Sequence, residues 1–203
     1  MTKAKIAVLV SGGGTNLQAL IDAQNAGLIP NGEIALVVSN RKAAYALERA
    51  KNHDIEGVVL SKYMQPDPEK YDEQLLAILQ ENNIDMIALA GFLGIVGSRV
   101  LAAFDGRIVN IHPALIPSFC GMGFYGLKVH EEALRRGVKV SGATAHLVNG
   151  DVDGGPILLQ KAVEVLEGDT PEVLQRRIME QAEWELLPRA VSMICDKIVS
   201  GRN

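Results

Sequence analysis

Asn110 and His112 stand two residues apart in an apolar run that closes on Pro113. Residues i and i+2 of a strand point to the same side, so an amide and an imidazole would project together. An amide N–H can stabilise charge on a carbonyl oxygen, and an imidazole beside it can hold or pass the proton that moves. Arg107-Ile108-Val109-Asn110-Ile111 reads as a strand, and Pro113, with no N–H for a ladder, should end it. The pair is therefore expected at the carboxyl end of a strand in a buried sheet. Taken singly, Asn110 would pass for a turn residue and His112 for a structural histidine.

Two glycine-dense segments supply further candidates. Ser11-Gly12-Gly13-Gly14-Thr15-Asn16 follows an apolar run and opens a helical pattern. Free backbone amides at a helix amino terminus suit a phosphate, and Thr15 and Asn16 could donate to a phosphate or a ribose hydroxyl. The turn equally reads as a tight connection that lets helix and sheet pack. It matches neither dinucleotide nor Walker spacing: Leu17 stands where GxGxxG needs glycine, and no Gly-Lys-Ser/Thr follows. Use of NAD or ATP is not expected. In Asn149–Pro156, Asp151 reads as a turn residue. Asp153 reads either as an Asx-turn residue or as a carboxylate set against His112, where its charge would raise the imidazole pKa.

Composition narrows the class. The chain has 203 residues, 48% hydrophobic and 22% charged, enough for one well-packed domain. A net charge of -4 does not favour a nucleic-acid partner, and Arg135-Arg136 and Arg176-Arg177 read as solvated helix faces. Cys120 and Cys195 lie far apart without CxxC spacing, pointing to a reducing compartment. The four histidines, His53, His112, His130 and His146, show no HExxH pattern, so no metal is expected; His130 and His146 read as structural, solvated or supporting histidines behind the reacting groups. The apolar run Ile6–Val10 is too short for a signal segment and none approaches membrane-spanning length, so a cytoplasmic location is expected.

The pattern that must position these groups alternates strands and helices. Strands are predicted over 5–10, 34–39, 57–60, 85–90 and 107–111, with helices over 16–26, 43–52, 69–82 and near 98–103. This order predicts an α/β fold with a doubly wound, mostly parallel sheet. After His112 the pattern changes. Residues 113–126 read as a loop, with Phe119–Gly126 a glycine-rich flap, and a short helix is predicted over 129–136. Strands at 143–147 and 157–165 should pair as antiparallel additions to the sheet edge. Thr170 and Pro171 start a helix expected to run to about Glu185, with Pro188 kinking it or opening a last helix that ends at Gly201. A single domain over 1–203 is expected, with a half over about 1–100 that carries the phosphate-suited turn and a catalytic half over about 101–203.

Five stretches together resemble one family: Ser11–Asn16, Ala90-Gly91-Phe92, Asn110–Pro117, Gly142–His146 and Asp153–Ile157. In that order the chain resembles, over nearly its whole length, the phosphoribosylglycinamide formyltransferases, the folate-dependent transformylases of purine synthesis. The resemblance implies a Rossmann-like fold and formyl transfer from 10-formyltetrahydrofolate, as co-substrate, to the amine of 5-phosphoribosylglycinamide. It implies that Asn110 donates to the oxyanion, and that His112, paired with Asp153, stabilises the intermediate and serves proton transfer. Gly13, Gly14, Thr15, Asn16 and Glu183 would hold the ribonucleotide. Phe92, Leu93, Gly94, Ile95 and Val96, with Asn110, Val152 and Asp153, would line the pterin cleft. The implied partners are small molecules, with neither nucleic acid nor membrane, for a monomer or homodimer. The chain departs from the family pattern at Trp184, at Gly94 and in the longer 119–126 segment, and no residue is assigned to the folate tail.

Two other classes stay open. A 10-formyltetrahydrofolate deformylase would share the catalytic trio, but is expected to carry an added amino-terminal domain and to lack the Gly-Gly-Gly-Thr-Asn turn. A methionyl-tRNA formyltransferase needs an RNA-binding domain that this length does not accommodate. A non-catalytic binding module of the same fold would have no need of Asn110, His112 and Asp153.

Overall fold

A computed structural model describes residues 2–201. Seven strands form one sheet: β1 (Ala4–Val10), β2 (Gly32–Ser39), β3 (Glu56–Val59), β4 (Met86–Leu89), β5 (Ile108–His112), β6 (Val140–Leu147) and β7 (Ile157–Glu164). Their spatial order is β3-β2-β1-β4-β5-β6-β7. The five strands from β3 to β5 are parallel, while β6 pairs antiparallel with both β5 and β7. The antiparallel addition to the edge is thus present, and the doubly wound reading holds. The described ends of the chain exclude Met1, Arg202 and Asn203, so the outer limits of the 1–203 domain lie outside the described residues. Among the described residues no helix is long and apolar enough to cross a membrane.

Each sheet face carries its own core. In β1, Ile6, Val8 and Val10 point to one face and Ala7 and Leu9 to the other, all fully buried. Alternation of this kind with both sets apolar is what a sheet covered on two sides requires. Each such Val, Leu or Ile contributes on the order of 1.5–3 kcal/mol by its burial. On the first face pack α1 (Thr15–Asn25), α2 (Tyr45–Asn52), α5 (Leu127–Arg135), α6 (Pro171–Ile178) and α7 (Trp184–Ser200). The second is covered by α3 (Pro68–Glu81) and α4 (Ser98–Ala103) through Tyr71, Leu75, Leu79 and Val100.

Local chemistry sets the helix ends. Asp67 accepts from the N–H groups of Glu69 and Lys70 at the start of α3, with Pro68 in the first turn, and Thr170 caps α6 likewise. The six-residue α4 has no cap of its own. Asp72, reaching from α3, accepts from Arg99 N–H at 2.7 Å and Val100 N–H at 3.3 Å. A Cβ at Gly97 would fall 2.2 Å from the Asp72 carboxyl carbon, so only glycine admits this cap.

The carboxy-terminal helix departs from expectation. Its break lies not at Pro188 but upstream, where Met179–Glu183 form a π-helical turn between α6 and α7. Pro188 sits inside α7 and leaves it continuous. The residue four before it, Trp184, is the first of α7, so the carbonyl that a proline cannot satisfy lies where the wide turn hands over to the regular helix.

Candidate active site

The strand order reverses between β1 and β4, and connections leaving the carboxyl ends of those strands diverge there. A crevice at such a point is where open α/β sheets take ligands. A cavity of about 730 Å³ lies there. Its floor is the Ser11–Asn16 turn after β1, and one wall is Gly91–Val96 after β4. Ser11, almost fully buried, ties the two: its hydroxyl accepts the Leu93 N–H at 2.8 Å.

At one end of this cavity β5 presents Asn110 and His112 on the same side, and register supplies a second pair. Asn110 lies opposite His146 and His112 opposite Thr144, so four polar side chains share one face of two antiparallel strands. Asp153 reaches them from the β6–β7 loop. An Asx turn, Asn149 Oδ1 accepting from Asp151 N–H at 3.0 Å, begins that loop. At Gly155 a Cβ would lie 1.8 Å from the Leu147 carbonyl, so glycine alone lets the loop fold back onto β6. Asp153 itself is left-handed, with φ 56°. The result brings His112 Nδ1 to 3.5 Å from Asp153 Oδ2 and His146 Nε2 to 3.7 Å from its Oδ1. Asn110 Nδ2 is 3.0 Å from His146 Nε2 and 3.5 Å from Asp153 Oδ1.

Electrostatics follow from this packing. Burial pushes the Asp153 carboxyl up, but the Gly121 N–H, together with the His146 and His112 rings whenever a proton on either faces it, outweighs burial and leaves the group below its ordinary value and ionised. Burial dominates at His112 and lowers its pKa; Asp153 and the Phe119 carbonyl oppose this in part, and His146 adds to it. Nε2 of His112 lies 2.8 Å from the Phe119 carbonyl, which can only accept, so that nitrogen carries hydrogen. In the neutral ring the Nδ1 lone pair then faces the Asp153 carboxylate. A proton arriving at Nδ1 turns this contact into an ion pair, which is the response wanted when negative charge develops nearby.

The 113–126 loop belongs to the site rather than hanging over it. Besides the Phe119 carbonyl on His112, the Gly121 N–H donates to Asp153 Oδ2 at 2.9 Å. Thr144 anchors its start, donating to the Ala114 carbonyl at 2.7 Å and accepting from Ile116 N–H at 3.1 Å.

At the other end, Gly12, Thr15 and Asn16 line the cavity, whereas Gly13 and Gly14 do not. Gly14 instead serves packing: at φ 72°, its Cβ would lie 2.7 Å from Ala46 Cβ on α2. Gly12 and Gly13 would have no protein atom within 4 Å of a Cβ, so their bareness leaves room for something other than the protein. Glu183, the last residue of the π turn, is buried and accepts from Asn16 Nδ2 at 2.7 Å. Burial pushes its pKa up to about 7 against the pull of that hydrogen bond. Asn16 Oδ1 is buried without a partner.

All five cleft residues from Phe92 to Val96 line the cavity, as does Val152. Leu93, Ile95 and Val152 are exposed apolar side chains at its mouth, suited to the faces of a flat aromatic ring system. Gly94 is explained by its neighbour: a Cβ there would lie 2.5 Å from Phe92 Cζ.

Of the roles open to His146 the structure selects the supporting one, since it touches both Asn110 and Asp153. The alternating Ala143–Leu147 pattern marks its strand, but only the register against β5 places it. Arg41, absent from the sequence-based candidates, lines the cavity beside the phosphate turn from the loop after β2. Its signal was positional, directly beyond a strand that neighbours β1.

The formyl transferase family model matches residues 4–191. The chain belongs to that family. It is 38% identical over 201 residues to phosphoribosylglycinamide formyltransferase, chloroplastic, of Arabidopsis thaliana, covering 98% of this chain and 68% of that protein. Identity is 39% to the human trifunctional purine biosynthetic protein adenosine-3, covering 99% of this chain and 19% of that far longer one. The crystal structure of glycinamide ribonucleotide transformylase 1 from Symbiobacterium toebii superposes with a TM-score of 0.90 at 42% identity, covering 96% of this chain and 89% of that one. The formyl transferase fold is thus this chain's fold, and its seven-stranded sheet with an antiparallel edge is the family's sheet.

Proposed function

We propose that this chain transfers the formyl group of 10-formyltetrahydrofolate to the primary amine of 5-phosphoribosylglycinamide, in purine biosynthesis. One observation carries the reading. A single cavity joins an amide, imidazole and carboxylate set at one end to a glycine turn with open space at the other. A deformylase needs the first and has no use for the second.

In this reading the amine nitrogen attacks the formyl carbon and the carbonyl electron pair moves onto oxygen. Asn110 donates an N–H to that oxygen. His112, with Asp153 behind it, takes up positive charge as the amine loses its proton, and a proton is returned to the folate nitrogen as its bond to the formyl carbon breaks. Gly12, Thr15 and Arg41 receive the ribonucleotide phosphate. Asn16 and Glu183 bind the substrate deeper in the cavity. Leu93–Val96 and Val152 hold the pterin. The tip of the Phe119–Gly126 segment, where Met122, Gly123, Tyr125 and Gly126 are exposed and the glycines at 121, 123 and 126 have positive φ, is the flap.

The test is a spectrophotometric assay of folate release from a 10-formyl-folate donor, with and without 5-phosphoribosylglycinamide. Release that requires the ribonucleotide is the expected result. Release without it assigns a deformylase, and saturable binding without release assigns a binding module.

A further inference from the structure

Asn110 can act as an oxyanion donor only if its N–H₂, not its carbonyl, occupies the reactive side. A terminal amide can flip, and the two orientations are nearly equal in shape, so the neighbours must decide. They do. The backbone carbonyl of Leu147 lies 2.8 Å from His146 Nδ1 and can only accept, so Nδ1 carries the hydrogen. In the neutral ring Nε2 is then a bare acceptor, and Asn110 meets it at 3.0 Å. The second neighbour, Asp153 Oδ1 at 3.5 Å, is an acceptor as well. Two acceptors leave one orientation: one N–H donates to His146, and the other points toward Asp153 and the cavity through a contact at the limit of hydrogen bonding. A flipped amide would set its oxygen against a lone pair and a carboxylate at once.

We infer that His146 is a positioning residue for formyl transfer: the Leu147 carbonyl sets its tautomer, and that tautomer locks the Asn110 amide with its second N–H available to the formyl oxygen. This rests on the assignment of Asn110 as oxyanion donor. Burial makes the lock rigid, since His146 is 2% exposed and packs in a ladder directly opposite Asn110. The hydrogen bond that matters in the reaction is the weak one, and His146 keeps it weak by occupying the other hydrogen. Without that acceptor the amide would turn its better geometry to Asp153 or rotate freely.

The two ring nitrogens can be tested separately. His146→Asn keeps a group able to donate to the Leu147 carbonyl but is too short to reach Asn110. His146→Gln places an acceptor near the position of Nε2. Expected for His146→Asn is a kcat lower by about tenfold or more, short of the ~10²-fold that loss of an oxyanion donor itself costs, with both KM values nearly unchanged. His146→Gln should recover most of that loss at a similar melting temperature. In a cycle with Asn110→Ala, His146→Asn should lower kcat less than about threefold further, because its effect passes through a side chain no longer there. A full drop persisting in the Asn110→Ala background would overturn the inference, as would equal losses for the Asn and Gln variants. If Asn110→Ala alone leaves kcat intact, the oxyanion assignment falls instead. Should His146→Asn fail to fold, the His146→Gln cycle with Asn110→Ala decides: a Gln variant as slow as Asn110→Ala counts against the inference, and near-native kcat counts for it.

Discussion

The two ends of the cavity are built on opposite plans. The catalytic end is a mesh of side chains drawn from β5, β6, the β6–β7 loop and the 113–126 loop, in which Asn110, His112, His146 and Asp153 are each held by a partner. The phosphate end is backbone and space: two glycines where a Cβ would meet no protein atom within 4 Å, an exposed arginine, and a third glycine committed to packing. Chemistry that moves a proton needs donors and acceptors fixed to fractions of an ångström, which takes several elements. Holding a phosphate needs amides and space, which one turn supplies. Substitutions at the two ends should therefore fail differently.

The largest effect is expected at His112. His112→Asn should lower kcat by about 10²- to 10⁴-fold while the KM for 5-phosphoribosylglycinamide stays within a few-fold, because His112 bonds to Asp153 and the Phe119 carbonyl rather than to the glycine turn. Steady-state kinetics with each substrate varied would show it, and a variant retaining most of its rate would remove His112 from the chemistry. Asp153→Asn should cost less, about 10- to 100-fold. It also removes a charge that raises the His112 pKa, so the acidic limb of the kcat/KM profile should move to lower pH. A limb that stays put would separate Asp153 from His112.

At the other end the effects shift from rate to binding and stability. Gly14→Ala forces a left-handed φ on alanine and drives Cβ against Ala46, so it should destabilise by about 1–3 kcal/mol, seen as a fall of several degrees in Tm. Gly12→Ala meets no protein atom and should leave the unfolding free energy within about 0.5 kcal/mol of the parent. Its methyl group would intrude on the space assigned to phosphate, raising the ribonucleotide KM several-fold. If Gly12→Ala binds normally, the turn is structural and the comparison between the ends loses its second half.

The same contrast governs what could be read without coordinates. The parallel frame was legible because both faces of β1 are apolar and each helix carries a period of its own; even α4, a single short helix, lay within 98–103 as expected. Asn110 and His112 were legible because strand periodicity is local. His146 was not, since its role is a matter of register: Asn110 faces it across 36 residues of chain, and a shift by one would have turned it away. The purpose of Gly14 was hidden for the same reason, because the obstacle it avoids sits on α2. The residues of the turn suit phosphate and packing equally and the resemblance places Gly14 on the ribonucleotide, whereas its tightest constraint is a helix contact. The π turn left no signature either, as Pro188 drew attention to a break that lies upstream.

Each end also buries a group whose protonation is tied to folding, and the two, His130 and Glu183, should titrate with opposite sign. His130, fully buried on α5 with both ring nitrogens unpartnered, is pushed down to about 4 by burial and by the charge of His112. Between about 6.5 and 4 the unfolded chain binds the proton that the folded chain refuses, so acidification through that window costs stability. Glu183, raised to about 7, behaves inversely: from about 4.5 to 7 the folded chain holds a proton that the unfolded chain releases, and stability falls as pH rises. His130→Phe should flatten the acid side of a plot of unfolding free energy against pH, and Glu183→Gln the neutral side. Denaturant melts at half-unit pH steps would separate them. Of the two, Glu183 tests the comparison more sharply, because its proton sits against Asn16 in the turn that otherwise relies on backbone. A pH slope unchanged in Glu183→Gln would mean that the carboxylate stays ionised there, and the phosphate end would then carry a buried negative charge in the path of an anionic substrate.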